Sequence, residues 1–432
     1  MSVLDLDRES GHVLSDRILA RAAWRLIPFM SLMYVVSFLD RVNISFAALK
    51  MNQALGFSPE VYGFASGVFF FGYFLFEVPS NLMLQKVGAR LWMCRICVSW
   101  GLLSMLTAFA REPVSFCIVR FLLGAAEAGL YPGMVLYMTY WFPSSTRARF
   151  IALFLGGVPL SNVIGSPISS LLLGLSGHGL SGWQWMIVLE GIPSLLCGIA
   201  TLWVLPDGPA TAKWLSDEEK RIIAARLAAE PPGALHGLRE LITDRRIWIL
   251  MIPDFSIVFP LYALNFFLPQ MVHGMGYSVA QTGWIVALPY LLAMGAMVGL
   301  GWSSDKSGNR AGHVAFGAFA GVLGIVGAMT AGTHALAIAS LCLATGGIYA
   351  ALAVFWTLPA SLLRGTAAAA GLALLNSFSN LGGFFGPTLM GWAKQQTGSY
   401  APGLGIIAAT LVLGGVSVIW IGRAYFRRAQ TS

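Results

Sequence analysis

Long apolar segments alternate with short polar segments along almost the whole chain. An α-helix rises about 1.5 Å per residue, so a segment of roughly 20 apolar residues can cross a bilayer. About twelve segments reach this length. They cover residues 27–49, 59–83, 91–110, 114–140, 148–173, 184–205, 247–272, 279–302, 312–332, 335–358, 367–392 and 402–422. The pattern therefore predicts an all-α polytopic membrane protein with one transmembrane helix for each segment.

The polar segments divide the chain into parts. The first of them lacks the apolar core and small-residue cleavage site of a signal peptide, so we expect a partly helical arm. The longest contains the capping box Ser216–Glu219, which predicts an amphipathic linker helix on the membrane face. The predicted parts are an arm at 1–25, a half at 26–205, a linker at 206–246, a second half at 247–422 and a tail at 423–432.

Two polar motifs recur about 220 residues apart, in predicted loops at 81–90 and 301–310. In each motif a polar residue precedes a lysine, which is followed by any residue, a glycine, any residue and an arginine. Such an internal repeat predicts two six-helix halves of the same topology, as in membrane carriers built from parallel repeats.

Composition and charge support a membrane location. The chain is 57% hydrophobic and 11% charged, with a mean hydropathy of +0.72. Its net charge of +8 comes mostly from Lys and Arg on one side of the predicted membrane, while Lys50, Arg111 and Lys394 lie on the other. This bias predicts cytoplasmic termini and explains the basic charge without nucleic acid. The five cysteines lie in or beside apolar spans, and Cys94-Arg-Ile-Cys97 is more typical of helix packing than of a metal or redox site.

Two predicted spans carry charged residues deep inside them. Asp40 and Arg41 lie in the first span, and Arg120 and Glu127 share one face of the fourth. Each such charge costs roughly 2.5–3.5 kcal/mol on insertion scales, so it needs a partner or a function. We expect the four charges to converge on one interior site. Simple mutual neutralisation of Asp40 and Arg41 is the alternative.

Other polar side chains are candidates for the same interior. Tyr73 brings a hydroxyl to mid-membrane depth, where it needs a partner. Asn376 and Asn380 lie one turn apart on a helix face and would contact either a ligand or a neighbouring helix. Asp254 would serve as a cap, an interfacial acid or a transport residue, and no role is assigned to Glu77.

These motifs resemble the major facilitator superfamily over essentially the whole chain. The resemblance rests on the two repeated motifs and on Ser37-Phe-Leu-Asp-Arg-Val-Asn-Ile44. Local matches resemble the tartrate, phthalate and 4-hydroxyphenylacetate permease branch of the anion:cation symporters. They are Glu77-Val-Pro-Ser-Asn81, Glu127-Ala-Gly-Leu-Tyr-Pro-Gly133, Tyr140-Trp-Phe-Pro143 and Trp214-Leu-Ser-Asp-Glu-Glu-Lys220. The resemblance implies the twelve-helix fold of that superfamily and a place in a bacterial inner membrane.

The resemblance also implies roles for individual residues. Asp40 and Glu127 would carry or relay protons, while Arg41 and Arg120 would serve the substrate anion and the ion-pair network. The substrate cavity would also contain Tyr73, Trp356, Thr357 and Asn376.

Conformational gating would belong to the two repeated motifs. Their gating residues would be Lys86, Gly88, Arg90, Asp305, Lys306, Gly308 and Arg310. The first motif departs from the superfamily pattern, because Asn81 and Gln85 stand where Gly and Asp are preferred. Gln85 cannot supply the usual charge, so we expect a weaker lock there, with Asp305 keeping that role in the second half.

The sequence therefore predicts a proton-coupled symporter that imports a small organic carboxylate, either a tartrate-like hydroxy or sugar acid or an aromatic acid. No cofactor or metal is expected, and one chain would be the functional unit. An exporter or exchanger of organic anions is the alternative. A membrane enzyme is disfavoured because no nucleophile elbow, P-loop or His/Cys cluster occurs. A sensor that does not transport is disfavoured because it would have little reason to keep costly buried charges.

Overall fold

The computed structural model describes residues 3–229, 244–362 and 366–426, and within these ranges the chain is almost entirely helical. The only β-bridge in the described ranges joins Gly177 and Leu180. The helices are α1 Val3–Leu55, α2 Pro59–Val87, α3 Ala89–Thr107, α4 Pro113–Glu127, α5 Leu130–Thr139, α6 Ser144–Leu172, α7 Gly182–Val204, α8 Asp217–Ala228, α9 Arg245–His273, α10 Val279–Ser307, α11 Arg310–Thr330, α12 His334–Phe355, α13 Thr357–Leu362, α14 Thr366–Thr397 and α15 Ala401–Ile421, with short turns at Pro209–Thr211 and Gly422–Phe426.

Twelve helical spans account for nearly all of the described chain. Ten of them are long and apolar enough to cross a membrane by length and composition. Helices α6 and α14, with 29 and 32 residues, complete the set, and α4 with α5 counts as one span. The predicted twelve-helix, all-α membrane fold is confirmed.

Several predicted boundaries are wrong in an informative way. The span 114–140 is two helices, because Gly129 adopts a φ of 90° between α4 and α5. The predicted loops 81–90 and 301–310 are mostly helical, since α2 continues to Val87 and α10 to Ser307. A helix can continue into water once its backbone bonds are formed, so the end of an apolar run does not end the helix.

The arm and the linker contact each other at one end of the helix bundle. Helix α1 runs without a break from the arm into the first span. Arg226 of α8 donates to Asp16 at 2.8 Å, and Arg21 pairs with Glu219 at 2.5 Å. We call this side of the protein the linker side and the opposite side the far side.

The two halves meet closely at the far side, where small residues let helix backbones touch. A Cβ on Gly63 of α2 would lie 2.4 Å from the Pro387 carbonyl oxygen of α14. A Cβ on Gly283 of α10 would lie 2.1 Å from the Ser170 hydroxyl of α6. Tyr62 adds a hydrogen bond of 2.8 Å to the Phe266 carbonyl of α9. The far-side ends of the two halves are thus packed shut.

Candidate transport site

A cavity of about 80 Å³ lies between the two halves and is lined by residues of α1, α2, α9 and α14, among others. Four residues that were predicted to lie in a substrate cavity line this one: Arg41, Tyr73, Trp356 and Asn376. Two others are placed elsewhere. Arg120 is buried within the first half, and the Thr357 carbonyl accepts a hydrogen bond from Arg310 at 3.2 Å. A larger groove of about 720 Å³ is lined almost wholly by apolar side chains, several of them exposed on the outside of the bundle, so it offers no polar recognition.

Arg41 is the charged group of this cavity. Its Nη2 pairs with the Glu127 carboxylate, and its Nη1 donates to the Tyr262 hydroxyl at 3.1 Å. The guanidinium also lies over the rings of Phe38 and Tyr73, 4.7 and 5.3 Å from their centroids. Aromatic faces stabilise a cation but do not neutralise it. Arg41 is 7% exposed, so this cation needs an anion beside it.

Glu127 is the anion beside Arg41, and it lies at the turn between α4 and α5. It is the last residue of α4, and Gly129 follows in the left-handed conformation. A Cβ on Gly129 would lie 2.4 Å from the Ser80 hydroxyl, so only glycine fits this turn. Glu127 Oε2 has no hydrogen-bond partner within the described residues. The carboxylate is therefore held mainly by Arg41.

Asp40 does not line the cavity, although it precedes Arg41 in sequence. Neighbouring helical residues point about 100° apart, and Asp40 faces α3. Its carboxylate accepts hydrogen bonds from the Trp100 indole at 2.5 Å, from the Ser104 hydroxyl and from Asn43 at 3.0 Å. Neither Trp100 nor Ser104 was predicted as a partner. Their spacing of one turn, with both polar atoms on one face of an apolar helix, was the available signal.

Arg120 is the least satisfied of the four charges. It is 1% exposed, its guanidinium lies 5.0 Å from the centroid of the Phe69 ring, and its Nε and Nη2 have no hydrogen-bond partner in the described parts of the chain. It interacts electrostatically with Asp40 and Glu127 without a direct contact to either. The four charges are thus close together, but they form an Arg41–Glu127 pair and a separate Asp40 cluster instead of one site.

The second half contributes polar groups that the sequence alone did not single out. Tyr262 of α9 contacts Arg41 across the cavity. One turn further along, Asn265 donates to the Tyr349 hydroxyl at 3.2 Å and accepts from the Tyr290 hydroxyl at 2.8 Å. This buried network joins α9, α10 and α12, and it keeps the Tyr262 face of α9 toward Arg41.

Three further acids are buried among the helices. Glu77 of α2 accepts hydrogen bonds from Asn376 at 2.8 Å and Ser377 at 2.6 Å, both on α14. Glu190, which was not predicted, accepts from Ser169 at 2.6 Å. Asp254 lies inside α9, well after the N-cap residue Asp244, so it is not a helix cap, and its buried carboxylate is within reach of the Ser379 side chain.

The repeated motifs lie at the linker-side ends of their helices. Gly88 and Gly308 end α2 and α10 with φ values of 97° and 70°. The Arg90 backbone N–H donates to Asp207 at 2.9 Å, whereas the side chains of Lys86, Arg90, Asp305 and Lys306 are exposed. Their gating role stays a prediction.

Comparisons with known proteins agree with this architecture. Residues 30–387 match the family model described as Major Facilitator Superfamily. The "Putative tartrate transporter" of Agrobacterium vitis is 42% identical over 99% of this chain and 97% of its own length. The "Inner membrane transport protein RhmT" of Escherichia coli (strain K12) is 39% identical over 97% of this chain and 98% of its own. The "Quinolone resistance transporter" of Acinetobacter baumannii is 37% identical, with 96% of each chain covered.

Solved structures show the same fold at low sequence identity. A bacterial homologue of the human lysosomal transporter Spinster superposes with a TM-score of 0.76 at 17% identity, covering 93% of this chain and 97% of that one. A D-xylose-proton symporter superposes with a TM-score of 0.74 at 14% identity, covering 91% and 97%. The family match spans most of the chain, and the relatives are transporters over their whole length. The chain therefore belongs to the Major Facilitator Superfamily and is a multi-pass membrane transporter.

Proposed function

We propose that the protein is a proton-coupled symporter that imports a small organic carboxylate, with a tartrate-like hydroxy acid as the substrate class. One observation carries the proposal: the buried cation Arg41 lines the cavity and is shared between Glu127 of the first half and Tyr262 of the second. A carboxylate that enters the cavity meets a cation already held by both halves.

Exchange of partners at Arg41 couples the substrate to a proton. The substrate carboxylate takes Arg41 as its counter-ion and displaces Glu127. A carboxylate left unpaired in a dry interior is costly, and binding a proton removes that cost. Glu127 is protonated in the loaded state, so Arg41 and one substrate carboxylate form a neutral pair when the halves rock past the site.

Asp40 contributes to the exchange of partners at Arg41, although it does not line the cavity. It lies next to Arg41 in sequence and within electrostatic range of Arg120. We propose that it relays the proton between the α3 side of α1 and Glu127. Arg120 balances whichever of the two acids is charged.

The cavity favours a compact, hydroxylated acid. Asn376, Ser379 and Asn380 line its second-half wall, and their amides and hydroxyl suit the hydroxyl groups of a substrate. A volume of about 80 Å³ suits a short aliphatic acid better than an aromatic one. A relative named for tartrate supports the same choice.

The charge bias supports a cytoplasmic linker side, with both termini in the cytoplasm of a bacterial cell. One chain encloses the whole cavity, which supports the monomer as the working unit.

The Glu127→Gln variant tests the coupling. In proteoliposomes, we expect it to abolish tartrate accumulation driven by a pH gradient while counterflow exchange stays at least partly active. The control is Glu112→Gln, which changes an exposed acid at the start of the same helix and should leave both activities unchanged. Loss of exchange as well as accumulation, in a folded variant, counts against the coupling role.

Export is the second candidate, supported by the relative named for quinolone resistance. Carboxylate import and drug export are distinguished by which compound drives counterflow exchange. A quinolone that drives counterflow when tartrate does not would favour export.

A further inference from the structure

We propose that Glu77 is a positioning residue that holds the linker side of the cavity closed and senses the cavity through Asn376. The inference rests on the proposed function for what enters the cavity, but the contact itself is independent of the substrate. It assigns a role to a buried acid that belongs to one of the resemblance motifs but has no assigned role in the sequence analysis or in the proposed proton pathway.

The contact is a bridge between the two halves. Glu77 lies on α2 and is 2% exposed, and both of its carboxylate oxygens are used. Oε1 accepts from the Asn376 amide at 2.8 Å, and Oε2 accepts from the Ser377 hydroxyl at 2.6 Å. Hydrogen bonds to a carboxylate are about twice as strong as neutral ones. This bridge therefore ties α2 to α14 firmly.

The bridge lies on the linker-side rim of the cavity. Glu77 comes four residues after the cavity residue Tyr73, which places it about 6 Å nearer the linker side along α2. Asn376 is the cavity residue of α14 nearest the linker side. The far side is closed by different contacts, the glycine packing at Gly63 and Gly283. Breaking the Glu77 bridge therefore releases only one side of the carrier.

Asn376 belongs to the bridge and to the cavity at once. Because a carboxylate can only accept, the Asn376 atom facing Glu77 is the amide nitrogen. A substrate carboxylate or hydroxyl that takes this N–H group leaves Glu77 with one donor fewer. Occupancy of the cavity would thereby weaken the closure on the linker side, which is the step a carrier needs before it releases its load.

Distances between spin labels test this in the purified protein without any substrate. One label pair, Val87→Cys with Ser307→Cys, reports the linker side. A second pair, Gln53→Cys with Ala280→Cys, reports the far side; all four positions are exposed, and the five native cysteines are replaced by alanine. Glu77→Ala should raise the population with long linker-side distances on the order of tenfold, since it removes two charge-assisted bonds. The far-side distances should not change.

Three further variants separate loss of the Glu77 bridge from general loosening. Asn376→Ala should open the linker side less than Glu77→Ala, because the Ser377 hydrogen bond to Glu77 remains. The double variant should open it no further than Glu77→Ala alone. Glu77→Gln should restore part of the closure, because its amide oxygen still accepts one hydrogen bond. Unchanged linker-side distances in a folded Glu77→Ala variant, or equal broadening on both sides, would overturn the proposal. If the variants show the expected linker-side distances but the protein transports no carboxylate, the proposed function is refuted and the role of Glu77 stands.

Discussion

Arg41 concentrates the chemistry of this carrier in one side chain. Its guanidinium has five donors in a planar fork, so it can bind Glu127, Tyr262 and an incoming carboxylate in different combinations. Lysine has one compact charge and cannot do this from one position. The residue beside it, Asp40, points into a different helix interface and has a different set of partners.

The Arg41→Lys variant should therefore lose substrate affinity by at least about tenfold, since a bidentate arginine–carboxylate pair is not replaced by lysine. Isothermal titration of the purified carrier with the transported acid measures this. Arg95→Lys is the matched control. Arg95 is also an intramembrane arginine, but it lies outside the cavity over the Trp92 ring. An equal loss in both variants would mean that Arg41 acts through folding.

Polarity alone marked several of the residues that the structure places along the cavity. Arg41, Tyr73 and Asn376 are polar groups inside apolar spans, and burial makes such groups seek one another. The partners Tyr262 and Trp100 were missed because their importance depends on which helices are neighbours. A single amino-acid sequence carries little information on which helices are neighbours. Glu190 was also missed, although it is an acid within the predicted span 184–205 and polarity alone could have marked it.

At the scale of helices, glycines set how closely the elements approach. A Cβ on Gly124 of α4 would lie 1.9 Å from the Phe69 carbonyl oxygen of α2, and one on Gly72 of α2 would lie 2.2 Å from the Phe121 carbonyl oxygen of α4. The reciprocal contacts bring the helix carrying Glu127 against the helix carrying Tyr73. Small residues at interfaces are the usual means of close helix packing in membranes.

Gly124→Ala should destabilise the protein by about 1–3 kcal/mol, as overpacking does, because the obstacle is backbone that cannot rotate away. A lower midpoint of thermal unfolding in detergent would show it. Gly156→Ala, in α6, is the control, since nothing lies within 4 Å of its added Cβ. If both variants unfold at the wild-type temperature, the α2–α4 contact is looser than the structure shows.

The sequence predicted which segments form transmembrane helices, but it did not predict where those helices end. Apolar length predicted every span, because a bilayer demands it. The break at Gly129 inside one apolar run was not predicted. Gly129 adopts a positive φ there, and a Cβ on it would meet the Ser80 hydroxyl of α2. The repeated motifs were placed in loops, yet they are mainly the last turns of α2 and α10.

At the scale of the whole molecule, the arm and linker join the beginning of the chain to its middle. Glu219 of α8 caps its own helix and pairs with Arg21 of α1. The Ser216 backbone N–H and the Arg21 guanidinium hold the pKa of the Glu219 carboxyl below its ordinary value. Arg25 also lies over the Trp214 ring at 5.4 Å. These contacts pin the start of α1 to the linker.

Because that pKa is lowered in the folded state, the Glu219 contribution is present at neutral pH. It is lost as the pH falls through the ordinary carboxyl range, about 4.5, and below it. Hydrogen exchange of α8 should therefore be slow at pH 7 and faster, after correction for intrinsic rates, at pH 4. Glu219→Gln should show the fast exchange at both values. Protection that does not depend on pH in the wild type would contradict the contact.

The central claim concerns the whole carrier: a carboxylate and a proton move together. The most direct test is the pH change that a substrate induces outside proteoliposomes containing the purified protein. The panel comprises aliphatic hydroxy acids, sugar acids and aromatic acids. We expect a tartrate-like hydroxy acid to make the medium more alkaline, and we expect Asp40→Asn and Glu127→Gln to abolish the response. A folded protein that gives no pH response to any carboxylate would contradict proton symport.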